Sequence, residues 1–412
     1  MGCRCAVSGL WVLPIVIILA VAGCGGGGGG GGSSSTGGGG GGGGGAFSGT
    51  TNAQIYGLAT PSALHTYFRD ITRGSNRLAS AGTGYDLVTG LGSPKANALM
   101  PALKPLLAAA ASAVVPKPAV VGPLQGPPAG ARARPCVRMS TAAVPAGTGY
   151  SPAQIRHAYG VDGLTVTGAG QTIAVTVALG SPTIQSDLNT FCSSFGLPTT
   201  TITIAYPTGT PTTSDPEWAL ETSLDVEWAH AMAPGAKILL CVAATSALDD
   251  VLAAVDYGSA HASQVSMSWV FDEFAGETGY DTHFSKAGVS FVGASGDDGL
   301  GAEWPAASPY VTGVGGTTLS LDATGNVLSE TAWSGSDGGP SSVFAEPSYQ
   351  TQWQSSGQRD TPDVSCLGDP NSGVAVYDST MVGRATGWME IGGTSAGAAM
   401  WNGLLALARA SG

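Results

Sequence analysis

Charge is scarce in this chain: Asp, Glu, Lys and Arg make up 11% of 412 residues, where about a quarter is usual. Only 16 residues are Lys or Arg and the net charge is −12, which argues against a nucleic acid partner, since that needs a basic face to neutralise phosphates. Histidine is scarcer still. His65, His157, His230, His261 and His283 are all there are, none in a His-Gly-Thr-His context, so a Ser-His-Asp triad lacks its base. His230 reads as a structural residue on a helix flank. No Cys-x-x-Cys pair occurs, which argues against a zinc or redox site. Cys136, Cys192, Cys241 and Cys366, an even number suited to an oxidising compartment, leave their pairing open. Long apolar runs are also missing: Leu10–Ala22 is short for a stable membrane span.

What is present begins with glycine. Residues 1–24 carry one cation, Arg4, then the short apolar run and Val21-Ala22-Gly23-Cys24, the build of a secretory signal with small residues at the cut. The ending resembles a bacterial lipobox, which implies lipid attachment at Cys24 and an exported protein held at the cell envelope; a plain cleaved signal is the simpler alternative. Residues 25–45 are nearly pure glycine and form a tether spanning about 25 Å on average.

Residues 46–110 form a small piece with a helical stretch over 52–67 and a closing helix from Ala96. It is too poor in large apolar side chains to stand alone. Residues 111–149 hold seven prolines between Pro116 and Pro145 and read as an extended, mostly exposed linker. From Tyr150 onward the pattern is α/β. Ser151-Pro152 starts a short helix. Apolar strand-like runs follow at 172–177, 237–242, 265–269, 289–294 and 311–314, with helices expected over 183–195, 217–231, 248–257 and 279–287. Such alternation predicts a parallel sheet with helices on both faces, its site at the carboxyl ends of the strands. Residues 320–387, rich in Gly, Ser and Pro, read as long surface loops.

Three stretches carry chemistry. In Gly392-Gly393-Thr394-Ser395-Ala396 a sharp turn opens a helix. Ser395 therefore sits where free N–H groups and the helix dipole favour an oxyanion; its bland use is as a helix cap. Glu221 and Asp225 stand four apart on one helix face. Close together in a cleft they would share a proton, with the aspartate raising the basicity of the glutamate; otherwise they are an ordinary acidic face, the reading that suits Glu217 and Glu227 better. Asp297, in Ser295-Gly296-Asp297-Asp298-Gly299, follows an apolar strand at the expected rim, though Asp-Gly is also a common turn.

Together with Ala233-Pro234-Gly235-Ala236, these motifs resemble the sedolisin family of serine-carboxyl peptidases. Asn52–Tyr56, the Asp70-Ile71 pair and Gly82-x-Gly84-x-Asp86 resemble the same family's C-terminal calcium region. The resemblance covers residues 46–110 and 150–412. It implies a subtilisin-like α/β fold with Ser395 as nucleophile, Glu221 as general base, Asp225 orienting Glu221, and Asp297 in the oxyanion hole. It also implies one structural calcium ion held by the carboxylates of Asp70 and Asp86 and the carbonyls of Ile71, Gly82 and Gly84, a hard oxygen set. The chain lacks a counterpart of the family's large N-terminal propeptide, and its calcium region comes first. Read as a circle, residues 404–412 lead into 48–56, so a circularly permuted domain is expected, as a monomer or a swapped dimer.

The chemistry is coherent with acid: a carboxylic acid donates to an oxyanion only while protonated, and a carboxylate base works best near its own pKa. The expected function is hydrolysis of peptides or unfolded protein, as an endopeptidase or exopeptidase. The alternative is a catalytically silent envelope lipoprotein that keeps the fold as a binding scaffold.

Overall fold

The computed structural model describes residues 47, 49–113, 115, 118, 124–140, 149–382 and 385–410. The signal, the tether, Cys24 and part of the proline-rich linker lie outside the described residues.

An eight-stranded sheet forms the centre. Across it run Val327–Ala332, Val311–Leu321, Ser290–Ala294, Gln264–Met267, Thr172–Ala178, Lys237–Ala243 and Thr203–Ala205, with Val364–Leu367 paired to Val311–Leu321. Every pairing is parallel except that of the edge strand Val327–Ala332. The middle strands are apolar on both faces because both are covered: Ile173, Ala174, Val175 and Val177 are all buried. Helix Leu248–His261 lies on the sheet, where Gly258 lets it approach Ala174, Thr176 and Cys241. Helices Pro216–Met232 and Thr394–Arg409 pack on each other and on the sheet, Gly403 taking the close contact with Met232. The expected α/β architecture with a mostly parallel sheet is therefore present.

Local signals act where they were read. Ser151 and Gln154 make a reciprocal capping box for Pro152–Ala158. Asp215 accepts from the N–H groups of Glu217 and Trp218 to start Pro216–Met232, with proline in the first turn. Residues 52–67, expected to be helical, form two helices, Thr51–Leu58 and Leu64–Tyr67.

Three expectations need correction. Residues 279–287 are not an α-helix; Glu277–His283 is a 3₁₀ turn. Residues 320–387 are not long loops but carry Val327–Ala332, Gly339–Ala345, Gln358–Thr361, Val364–Leu367 and Val374–Val382. Their glycine and serine hid short strands in which Val364, Val374 and Val376 are fully buried. Nor is the linker exposed throughout. Arg134–Pro135 pairs with Trp269–Asp272, and Arg138–Met139 pairs with Ala385–Gly392, both antiparallel; Ala133, Cys136 and Val137 are buried.

The N-terminal piece belongs to the same body. Asn52 donates to the carbonyl of Val311 at 2.8 Å and accepts from Thr312 Oγ1 at 2.6 Å. Phe68 stacks on Trp401 with ring centroids 6.4 Å apart, and helix Ala96–Ala110 packs on Thr394–Arg409. Trp401, Leu404, Leu405 and Leu407 are all buried.

Candidate active site

Helix Pro216–Met232 is interior from Trp218 onward. Its acidic residues are therefore no solvated face: Glu221, Asp225 and Glu227 are each fully buried, while Glu217 is exposed. Glu227, read as surface charge, accepts the Tyr377 N–H at 3.0 Å and serves the packing of Val374–Val382 on this helix. Glu221 and Asp225 point instead toward the start of the serine helix.

That start lies at the carboxyl ends of two neighbouring parallel strands. Ser268 follows Gln264–Met267, and Ser295-Gly296-Asp297 follows Ser290–Ala294. Gly393, at φ 107°, turns the chain into Thr394–Arg409, a conformation that a side chain would strain. Ser395 Oγ donates to the Ser268 carbonyl at 3.4 Å. Ser268 Oγ in turn donates to Asp225 Oδ1 at 2.6 Å, so one residue touches both the serine and the acidic helix. Asp297 accepts from the Thr394 N–H at 2.7 Å and from Thr394 Oγ1 at 2.8 Å. Its other oxygen, Oδ2, is buried without a hydrogen bond and lies 3.9 Å from Arg138 Nε.

The electrostatics follow from dryness. Burial pushes the Glu221 carboxyl well above its ordinary range; the Asp225 charge pushes it further, while the nearby Ser395 hydroxyl eases it down. Neither oxygen of Glu221 makes a well-formed hydrogen bond. Burial also raises Asp225, to about 8, against the bond from Ser268. Asp297 rises to about 7 through burial, opposed by Arg138 and by the two Thr394 bonds. A dry site thus holds three carboxyls that keep their protons far above the usual carboxylate range.

All four expected residues, Ser395, Glu221, Asp225 and Asp297, come together. Sequence reasoning missed Ser268, Thr394, Cys136 and Arg138. Thr394 and Ser268 were detectable in principle, one beside the serine and the other at a strand end. Cys136 and Arg138 reach the site only because the linker crosses it. There the Cys136 carbonyl accepts the Ser395 N–H at 3.4 Å, and a cleft of about 220 Å³ stays open between the linker and Glu217, Val270, Asp297, Asp298 and Glu303.

Of the expected calcium residues, four are joined in pairs, Asp70 with Gly84 and Asp86 with Gly82. Asp70 accepts the Gly84 N–H at 3.1 Å, and Asp86 accepts the Gly82 N–H at 3.3 Å. Asp86 further accepts from Val88, Thr89 and the Thr89 hydroxyl. No group of three or more His, Cys, Asp or Glu placed so that it could hold a metal ion exists among the described residues. The four cysteines outside the N-terminal segment are buried and free, and His230 Nε2 donates to the Pro198 carbonyl at 2.7 Å.

No protein-family model matches the chain. Among curated proteins it is 32% identical over 303 residues to kumamolisin of Bacillus sp. (strain MN-32), a match covering 63% of this chain and 52% of kumamolisin. It is 32% identical over 144 residues to sedolisin of Pseudomonas sp. (strain 101), covering 29% and 24%, and 27% identical to xanthomonalisin of Xanthomonas sp. (strain T-22), covering 66% and 40%. The chain thus spans about half, or less, of the length of the curated relatives it matches. Among solved structures, Pseudomonas sedolisin, a serine-carboxyl proteinase complexed with two molecules of pseudo-iodotyrostatin, matches with a TM-score of 0.55 and 25% identity, over 64% of this chain and 80% of that one.

Proposed function

We propose that this homologue of the sedolisin family is an acid-active serine-carboxyl peptidase that hydrolyses peptide bonds in peptides or unfolded protein, acting as an endopeptidase or exopeptidase. Likeness to kumamolisin and sedolisin supports the reaction class. One observation carries it to particular residues: the buried pair Glu221–Asp225, the N-terminus of the serine helix and Asp297 converge on a single serine.

Ser395 Oγ attacks the substrate carbonyl while Glu221, ionised when its pair with Asp225 holds a single proton, accepts the hydroxyl proton and returns it to the leaving amine. Asp225, anchored by Ser268, orients Glu221 and favours its taking a proton. The Ser395 N–H and the free oxygen of Asp297, protonated, donate to the oxyanion. Thr394 holds the other Asp297 oxygen in place.

One structural calcium at Asp70, Ile71, Gly82, Gly84 and Asp86 fits the donor chemistry of that loop; its charge would neutralise the two carboxylates and tie residues 70 and 86 together. Packing of residues 49–110 on the serine helix supports reading them as the calcium-bearing part of one permuted peptidase domain. Export, and anchoring through Cys24, remain the reading of the N-terminal segment.

The test is digestion of a denatured protein across pH. Wild type should cleave it in acid, and both Ser395→Ala and Glu221→Gln should lose about two to four orders of magnitude of activity, the usual worth of a positioned acid–base group. Full activity in Glu221→Gln would refute the mechanism.

A further inference from the structure

The turn that follows Asp297 is laced to its surroundings on two sides. On one side stand residues 334–338. The Gly299 N–H donates to the Gly335 carbonyl at 2.9 Å, the Gly338 N–H to the Leu300 carbonyl at 3.0 Å, and the Asp337 N–H to the Gly296 carbonyl at 3.0 Å. The Leu300 N–H donates to Asp337 Oδ1. On the other side stand residues 74–80, which belong to the N-terminal piece of the chain. The Arg77 N–H donates to the Gly299 carbonyl at 3.2 Å, and Asn76 Nδ2 donates to the Ser336 carbonyl at 2.9 Å. Asn76 Oδ1 accepts the N–H groups of Leu78 and Ala79 at 2.9 and 2.7 Å, which closes this loop on itself. Both loops are held by their backbones, so the side chains they carry are placed before any ligand arrives.

What these backbones present is apolar. Leu78 is 63% exposed and Leu300 46%. The stem of Arg77 lies along Gly299, where an added Cβ would stand 3.6 Å from Arg77 Cγ; such stems cover their neighbours while the charged head stays in water. An added Cβ at Gly301 would meet Leu78 Cδ1 at 4.0 Å and nothing nearer among the described residues. Open space therefore lies beside Gly301, with Leu78 across it and Leu300 next to it in the chain. Asp297 and Asp298, at the head of the same turn, line the cleft of about 220 Å³, and so does Glu303 just past it. A single exposed leucine is ordinary, whereas apolar side chains gathered on a fixed rim beside a cleft mark a place for a ligand.

We infer that residues 77 and 78 of the N-terminal piece form, with Leu300, a substrate subsite that takes one large apolar side chain of the peptide being cut; the inference rests on the peptidase reading above. The occupant follows from continuity with the cleft, since a peptide lying against Asp297 borders the turn of residues 298–301. A large apolar side chain gains by leaving water against Leu78, Leu300 and the Arg77 stem, and Gly299 and Gly301 leave it room. The acidic neighbours Asp298 and Glu303 offer such a side chain nothing, so its selection rests on the leucines. Leu78 touches none of the reacting groups. It determines specificity, from a segment that precedes the whole α/β body in the chain.

The experiment digests a mixture of unfolded proteins with the full chain in acid and reads the residues around every cut by mass spectrometry. Expected in wild type is enrichment of Leu, Met, Phe or Tyr at one fixed position relative to the cut bond. Two peptides that differ only in Leu or Ala at that position then give a ratio of kcat/KM values, which does not depend on how much of a preparation is folded. Leu78→Ser should lower that ratio about tenfold, a usual size for a small apolar contact. Gly301→Phe, which fills the niche with its own ring, should lower it as well. Enrichment at no position, or a ratio that either variant leaves unchanged, overturns the subsite and leaves the peptidase reading standing. A wild type that digests nothing overturns the peptidase reading and the subsite with it.

Discussion

At the scale of single residues, the site is governed by protons that burial retains. Asp297 rises to about 7 and Asp225 to about 8. Only protonated Asp297 donates to an oxyanion, so peptide hydrolysis should fall as pH rises through about 7. Asp297→Asn, unable to ionise, should lose that alkaline limb in the pH–rate profile. Activity that climbs through neutrality in wild type would contradict the role. The same shifts bear on stability. Both folded pKa values stand above those of the unfolded chain, so the folded state binds more protons. The stabilisation is complete below the unfolded carboxylate pKa, about 4, and is lost as pH rises through 7 to 8. Thermal melts should show a falling Tm over that window, and Asp225→Asn, which keeps an acceptor for Ser268, should flatten the fall.

Among the elements, the glycine-rich loop of residues 70–90 has the clearest test. Its two aspartates are held by backbone N–H groups of the loop itself, an arrangement that positions both carboxylates. A cation that binds only the folded form stabilises it by mass action, about 2.7 kcal/mol at a hundredfold excess over Kd. Chelation should therefore lower Tm in wild type, and Asp86→Ala should abolish the response. A melting curve indifferent to chelator would remove calcium from the reading. Helix Thr394–Arg409 shows why this loop's neighbourhood matters. Its Trp401 stacks on Phe68, which stands two residues before Asp70. The strand that leads into the loop thus packs on the serine helix.

For the whole molecule, the decisive property is that chain order and spatial order differ. Residues 49–110 come first yet cover the last helix. A chain reduced to residues 150–412 would expose Trp401 and leave Thr312 without the Asn52 side chain that it now bonds. It should be unfolded or insoluble, and a separate peptide of residues 46–110 should restore solubility and cooperative melting. If the shorter chain melts cooperatively alone, the permuted-domain reading fails. A swapped dimer would appear in light scattering as twice the expected mass.

Much of this was legible in the order of residues. Apolar runs between helical periods specify a parallel sheet, because buried strands need no polar face. A glycine turn before a small-residue helix marks Ser395, and an i, i+4 pair marks Glu221 and Asp225, since these patterns are local. Strands within residues 320–387 escaped notice because glycine, serine and proline surround them, and Val364–Leu367 pairs with a strand well removed in sequence, Val311–Leu321. Tertiary structure alone decided that the acidic helix is interior, and hence that its carboxyls hold protons: desolvation is set by what surrounds a side chain, not by its neighbours in the chain. It alone carried the linker across the serine, because the pairing of residues 134–139 with strands more than a hundred residues away leaves no mark in local composition.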